Sequence, residues 1–387
     1  MRNWMFHEWT RNVRKVLFWL HLGAGVVAGI IIFVMSITGV LLTFERQMTD
    51  WADRHAARVI PPRGALRLPL SDLVATTGGT PAGIIVRADP REPVEMVMGR
   101  DKTIFLNPYT GAVTGGYCKT ARAFFQTTRA WHRWIAMSDS TRKSTEPIYD
   151  AANVVFFFIV LSGPILWWPR QLTWRHLRPI VWFRGRLTGK ARDFNWHNTI
   201  GLWTSIPLTI IVGTGIILSY KWANDLVYRI TGNEPLQPTR AEVLPKGQGP
   251  PPWQGVDAWV ARAASRMPEW RTITIRSAPT RTVGVTVDAG TGGQPQKRAQ
   301  LTFDRFTGAE TKWEPFASYN AGLRLRMLAR VFHTGEVGGM VTQGIAGLVS
   351  LGAAVLVYTG IALSLRRLAA WRRRRTRSEV PDVAQVA

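Results

Sequence analysis

Four stretches carry no charged residue over the length of a membrane crossing: 16–44, 151–168, 194–220 and 337–365. Each reaches or nearly reaches the ~20 residues that span a hydrocarbon core, and the second can borrow Ile148 and Tyr149 from its flank. The pattern therefore predicts four transmembrane helices. The first run is too long for a signal-peptide core and lacks a small-residue cleavage site before Glu45, so it reads as a retained anchor.

Between these runs the periodicity shortens toward that of strands. In 45–147, strand-like runs at 83–88, 94–99 and 103–106 follow a short helix opened by Ser71 and end in the turn Asn107-Pro108-Tyr109-Thr110-Gly111. An amphipathic helix after Cys118 then carries Arg122, Arg129, His132 and Arg133 among aromatics, a composition suited to the headgroup layer. Segment 221–336 repeats this outline. It has a helix at 256–267, strands near 271–276, 282–287 and 299–303, the turn Asp304-Arg305-Phe306-Thr307-Gly308, and a basic helix with Arg324, Arg326, Arg330 and His333.

The spans repeat as well. His21 precedes Thr38-Gly39 by the same spacing that separates His197 from Thr214-Gly215, at an offset of 176 residues. The reading is an α-helical membrane protein with two small α+β extracytoplasmic modules, internally duplicated about a pseudo-twofold axis along the membrane normal. Its segments are a basic leader 1–15 lying along the inner surface, span 16–44, module 45–147, span 148–168, basic loop 169–193, span 194–220, module 221–336, span 337–365 and basic tail 366–387.

Charge supplies the orientation. Lysine and arginine total 49 against 25 acidic residues, a net +24. Many of the cations sit in the leader, in the loop between spans two and three, and in the tail. These three segments therefore face the cytoplasm, with both termini inside. A polybasic inner face implies contact with anionic lipid, not nucleic acid. Cys118 is the only cysteine, which excludes an intrachain disulfide, a c-type haem attachment and a cysteine-ligated iron–sulfur cluster.

Four histidines occupy corresponding places in the two halves. His21 and His197 start outward-running spans at the cytoplasmic level; His132 and His333 precede inward-running spans at or just outside the periplasmic level. Pseudo-symmetry pairs them as axial ligands of two b-type haems, with Arg14, Lys15 and Arg192 inside, and Arg129, Arg133, Arg326 and Arg330 outside, available to haem propionates. Gly23, Gly25 and Gly29 permit either close helix packing or room for a flat macrocycle. His7, His55 and His176 read as interfacial or loop residues.

The His…Thr-Gly helices, the paired modules with Thr-Gly turns and the Trp167-Trp168-Pro169-Arg170 span ending resemble the PepSY-associated transmembrane-helix family, and within it ferric-siderophore reductases. Span four departs from this pattern, with Leu365-Arg366-Arg367 in place of Trp-Pro-Arg. The resemblance implies an oxidoreductase of the bacterial inner membrane with two bis-histidine haem b groups, His21 with His197 and His132 with His333. It would take electrons from an unidentified cytoplasmic reductant or quinol and reduce a ferric siderophore in the periplasm. The alternative is a membrane-anchored sensor or regulator binding a periplasmic protein or peptide. A metal permease is disfavoured because the spans lack acidic residues.

Overall fold

The structure is a computed structural model describing residues 2–378, except 55–56, 100–101, 136–138, 170, 236–242, 246–252, 277 and 279. His55 and the end of the tail lie outside the described residues. In chain order the first half comprises α1 (Arg2–Leu42), α2 (Glu45–Arg54), α3 (Leu70–Ala75), β1 (Gly83–Arg87), β2 (Val94–Val97), β3 (Thr103–Leu106), β4 (Val113–Gly116), α4 (Lys119–Trp134) and α5 (Asp139–Trp167). Then follow α6 (Trp174–Val181), α7 (Gly189–Ser219), α8 (Lys221–Ile230), α9 (Val256–Arg266), β5 (Thr272–Arg276), β6 (Thr282–Asp288), β7 (Arg298–Asp304), β8 (Glu310–Pro315), α10 (Ala321–His333) and α11 (Met340–Ser378).

Among the described residues, four helices are long and apolar enough to cross a membrane: α1, α5, α7 and α11. They form a bundle in which α1 and α7 each pack against both α5 and α11, so that α1 and α7 occupy opposite corners. Ala28, Ile32, Phe156, Val160, Leu208, Val212 and Ala353 fill its interior. The leader is not a separate surface segment. Residues 2–15 continue the helix of the first span without a break, because no glycine or proline interrupts the register.

The sequence pattern predicts two separate modules, but the strands form one eight-stranded antiparallel sheet in the order β4-β3-β2-β1-β5-β6-β7-β8. The order is symmetric about the seam where β1 meets β5, from Gly83 opposite Arg276 to Arg87 opposite Thr272. Joining the two inner edges removes two rows of unpaired backbone groups that separate modules would expose. Strands β4 and β8 go unpredicted because Val113–Gly116 and Glu310–Pro315 lack apolar alternation and form the outer edges, with no residue of either strand buried.

Alternation gives the sheet two different faces. Ile84, Val86, Met96, Ile273, Ile275, Val285 and Leu301 point to one side, where α3 and α9 cover them with Leu73, Val256 and Trp259. The halves are stitched there by Asp257 of α9, whose carboxylate accepts from Leu70 N at 2.6 Å and Ser71 N at 3.2 Å and so caps α3. Arg87, Thr272, Thr274, Thr286 and Gln300 lie on the other, polar side. This face roofs a cleft whose remaining walls are α2, α10 and the first turns of α11.

Polar contacts tie α2 to the end of the bundle, and Arg46 also donates to Thr291 O in the loop after β6 at 3.1 Å. Arg46 pairs with Glu336 at 2.7 Å, and Gln343 donates to Thr43 O at 2.9 Å while accepting from Gln47 at 2.7 Å. Asp53, almost fully buried, accepts from Cys118 N and from Arg122, tying the start of α4 to α2. Helix α4 thus has its beginning fixed at the sheet and its end at the bundle.

Candidate functional site

The four paired histidines each dock on a Ser/Thr-Gly step of a membrane helix. His132, on α4, places Nδ1 at 3.0 Å from both Met35 O and Thr38 Oγ1 of α1. His333, on α10, places Nδ1 at 2.8 Å from Ile211 O of α7, one turn before Thr214-Gly215. His21 Nδ1 lies 2.7 Å from Ser162 Oγ of α5, and His197 Nδ1 lies 3.0 Å from Thr359 Oγ1 of α11.

The hydroxyls report which ring nitrogen holds the proton. Thr38 Oγ1 donates to Val34 O at 2.6 Å, Ser162 Oγ to Ile159 O at 3.1 Å and Thr359 Oγ1 to Val355 O at 2.8 Å. With its own hydrogen committed to its helix, each hydroxyl accepts from the imidazole, and the carbonyl partners can only accept. Nδ1 is therefore the protonated nitrogen in the rings of His132 and His333, which face carbonyl oxygens, and the hydroxyls facing His21 and His197 suit the same tautomer, in which Nε2 keeps its lone pair. Among the described residues no hydrogen bond engages any of these four Nε2 atoms.

The glycine of each step explains why the ring can come so close. A β-carbon on Gly39 would stand 3.4 Å from His132 Cε1, on Gly215 3.2 Å from His333 Cε1, on Gly360 3.4 Å from His197 Cε1 and on Gly163 4.0 Å from His21 Cε1. Polar neighbours repeat as well. Ser350 of α11 stands beside Gly39, and Asn153 of α5 stands beside Gly215.

These contacts set two levels. The His132 and His333 ring centroids are 6.2 Å apart with planes inclined at 56°. His21 and His197 project from the opposite corners α1 and α7, within electrostatic range of one another. From His21 to Met35 along α1, and from His197 to Ile211 along α7, is 14 residues in each case, about 21 Å of helix. The His132 and His333 pair lies inside the bundle, short of the end of α1 at Leu42, and not at or beyond its rim as the sequence predicts. Helix α4 reaches inward because Tyr149 Oη donates to Trp131 O at 2.6 Å. The helix then stops at Ile135, a β-branched residue at φ 48, a strained cap three residues after the histidine.

The arginines are mostly engaged by protein. Arg14 donates to Leu166 O and Trp168 O, closing the end of α5. Arg192 pairs with Asp193, and Arg326 donates to Asn224 Oδ1 at 2.7 Å. Arg129 pairs with Glu45 at 2.7 Å; burial pushes the Glu45 carboxyl up and Arg129 opposes the shift. Arg133 lies over the Trp134 ring at 4.6 Å. The Arg330 side chain makes no hydrogen bond or ion pair among the described residues, as is true of the Lys15 side chain. Gly29 is a packing glycine against Val357 and Ile361, while Gly23 and Gly25 meet nothing within 4 Å. His176 is exposed and bonds its own helix start at Thr173, 2.7 Å away. The side chain of His7 lies outside the description.

A family model described as the PepSY-associated TM region matches residues 18–367. The chain belongs to the PepSY-associated transmembrane family. Comparison with curated proteins gives no match.

Two features of this PepSY-associated protein escape the sequence reading. One is Asp193, fully buried one turn before His197, which holds Arg192 and Arg366 at 2.9 Å each and so joins α7 to α11 at the end of the bundle away from the sheet. A lone acid in a basic flank gives no signal for this. The other is the role of the Ser/Thr-Gly steps. Their recurrence in all four spans is visible in the sequence, but only the packing shows that each receives an imidazole from another helix.

Proposed function

We propose that the protein is a dihaem b-type transmembrane electron carrier that reduces a ferric siderophore on the sheet side and releases Fe(II). His21 with His197, and His132 with His333, would hold the haem irons. Electrons would enter from a cytoplasmic reductant or quinol at the arginine-rich end, whose positive charge supports a cytoplasmic placement in a bacterial inner membrane.

The observation that carries the reading is the set of four imidazoles with Nδ1–H committed and Nε2 free, two of them 6.2 Å apart. The 6.2 Å between the His132 and His333 rings is short enough for both to share one metal ion. Donation of the second ring N–H to a carbonyl or other acceptor is the arrangement that orients a ligating histidine and raises its basicity. Bound haem would supply one-electron transfer at each level. The protein's own part is to fix the ring tautomers, to exclude water with the Ile32, Phe156, Val160 and Leu208 core between the levels, and to present the cleft above the outer pair. Siderophore oxygens grip Fe(III) as a hard ion and hold Fe(II) weakly, so one electron suffices to loosen the metal.

The test is anaerobic mixing of dithionite-reduced, desalted protein with a ferric siderophore and a chromogenic Fe(II) chelator. One Fe(II) should appear per haem reoxidised. Haem that stays reduced, or reoxidises without Fe(II), contradicts the proposal.

A further inference from the structure

The cleft between the polar face of the sheet and the top of the bundle has a volume of about 1520 Å³, larger than the roughly 300–1,000 Å³ of an ordinary small-molecule pocket. Its floor includes Gln343 on α11, seven residues or about 10 Å above Ser350, which stands beside Gly39 and His132. A ligand in the cleft is therefore close to the outer histidine pair.

The charge of the lining is uneven. Seven arginines face four carboxylates. Five of the seven are neutralised locally: Arg46 by Glu336, Arg54 by Asp50 and Glu92, Arg58 by Glu92, Arg87 by Glu95, and Arg298 by Asp288. Arg271 and Arg276 have no ion pair or side-chain hydrogen bond among the described residues, and both are exposed. Arg276 closes the central strand of the roof on the face of Thr272 and Thr274, and Arg271 lines the cleft from the position just before that strand, five residues or about 16 Å away along the chain. The side chains between them on that face are the hydroxyls Thr272 and Thr274, with Thr286 alongside on β6. The roof thus offers two unspent guanidiniums bracketing a row of neutral hydrogen-bonding groups, with no carboxylate on β5 itself.

Resting on the function proposed above, we propose that the cleft selects ferric chelates of net negative charge, those built on carboxylate or catecholate oxygens, over uncharged or cationic hydroxamate chelates. Arg271 and Arg276 are the specificity-determining residues. Guanidinium forks match carboxylate and catecholate oxygens in pairs, and a concave cleft carrying unpaired positive charge raises the local concentration of anions. An uncharged chelate gains nothing from them and must leave them solvated.

The experiment is isothermal titration calorimetry on the full-length, detergent-solubilised protein with redox-inert gallium(III) complexes: a tris-catecholate, a tris-hydroxamate, and the metal-free catecholate. The gallium catecholate should bind at least about tenfold tighter than the hydroxamate, with affinity falling as salt rises. R271Q and R276Q should each weaken it about tenfold and leave the hydroxamate unchanged. R266Q, which disturbs the Glu310 pair outside the cleft, should change neither. Equal binding of the two gallium complexes, equal binding of the metal-free ligand, or a preference that survives the double substitution would overturn the assignment. Haem content and Fe(II) release on the same preparation keep the two readings apart. A charge-blind protein that still reduces ferric chelates defeats only the selectivity. A protein that binds the anionic complex with the stated preference but never releases Fe(II) defeats the reductase and leaves the anion site standing.

Discussion

Substituting alanine for His132 is expected to remove one haem of two and leave the other untouched, and His333→Ala should remove the same one. The two rings lie 6.2 Å apart and reach the bundle on separate helices, α4 against α1 and α10 against α7. Neither helix supplies a second histidine to compensate, so loss of either ring would leave that haem held by a single histidine and readily lost. His21→Ala and His197→Ala should together define the second haem, some 21 Å along α1 and α7 from the first. His176→Ala should leave both in place, since that ring bonds only its own helix start. Pyridine haemochrome assay with low-temperature absorption spectra of the four variants reads the result directly. If His132→Ala and His333→Ala deplete different haems, the pairing across the bundle is wrong.

The second large effect is expected at the glycines, and it should be graded by distance. Valine at Gly215 would put its first side-chain carbon 3.2 Å from His333 Cε1 and 3.2 Å from Asn153 Nδ2, with branches beyond it. Overpacking of that kind costs about 1–3 kcal/mol when the neighbours can shift, and here the neighbour that must shift is the ring. Disturbing the residues that orient a ligating histidine lowers metal-site affinity roughly 10–100-fold. Gly215→Val should therefore lose the outer haem on washing while the fold persists. Gly360→Ala and Gly39→Ala should weaken their haems less, and Gly163→Ala, with 4.0 Å to His21, should behave as wild type. Rates of haem transfer to apomyoglobin rank the series. A Gly163→Ala protein that loses haem as fast as Gly215→Val would show that the glycines do not act through the rings.

Much of the membrane part is legible in the sequence because one rule governs it: a backbone in hydrocarbon must satisfy itself, so uncharged runs of span length become helices. The four spans follow, as do six of the eight strands, but the depth of His132 and His333 does not. The cleft is not legible. Its roof is assembled from the polar halves of strands whose apolar halves dominate the pattern, and its existence depends on β1 pairing with β5 across nearly two hundred residues of chain. The inward reach of α4 is also invisible, since it turns on one hydroxyl, that of Tyr149, meeting the Trp131 carbonyl. The same holds for the arginines. Arg14 and Arg129 look like free cations beside histidines, yet Arg14 closes the end of α5 and Arg129 meets Glu45, because a partner distant in sequence leaves no local mark.

The central claim is that four neutral imidazoles, their Nδ1 protons already given away, hold two irons at two depths. Quantitative pyridine haemochrome analysis of protein purified from haem-replete cells, with electron paramagnetic resonance of the oxidised form, tests it most directly. Two b-type haems per chain with low-spin, bis-histidine signals are predicted; a colourless protein, or a high-spin signal alone, would contradict it.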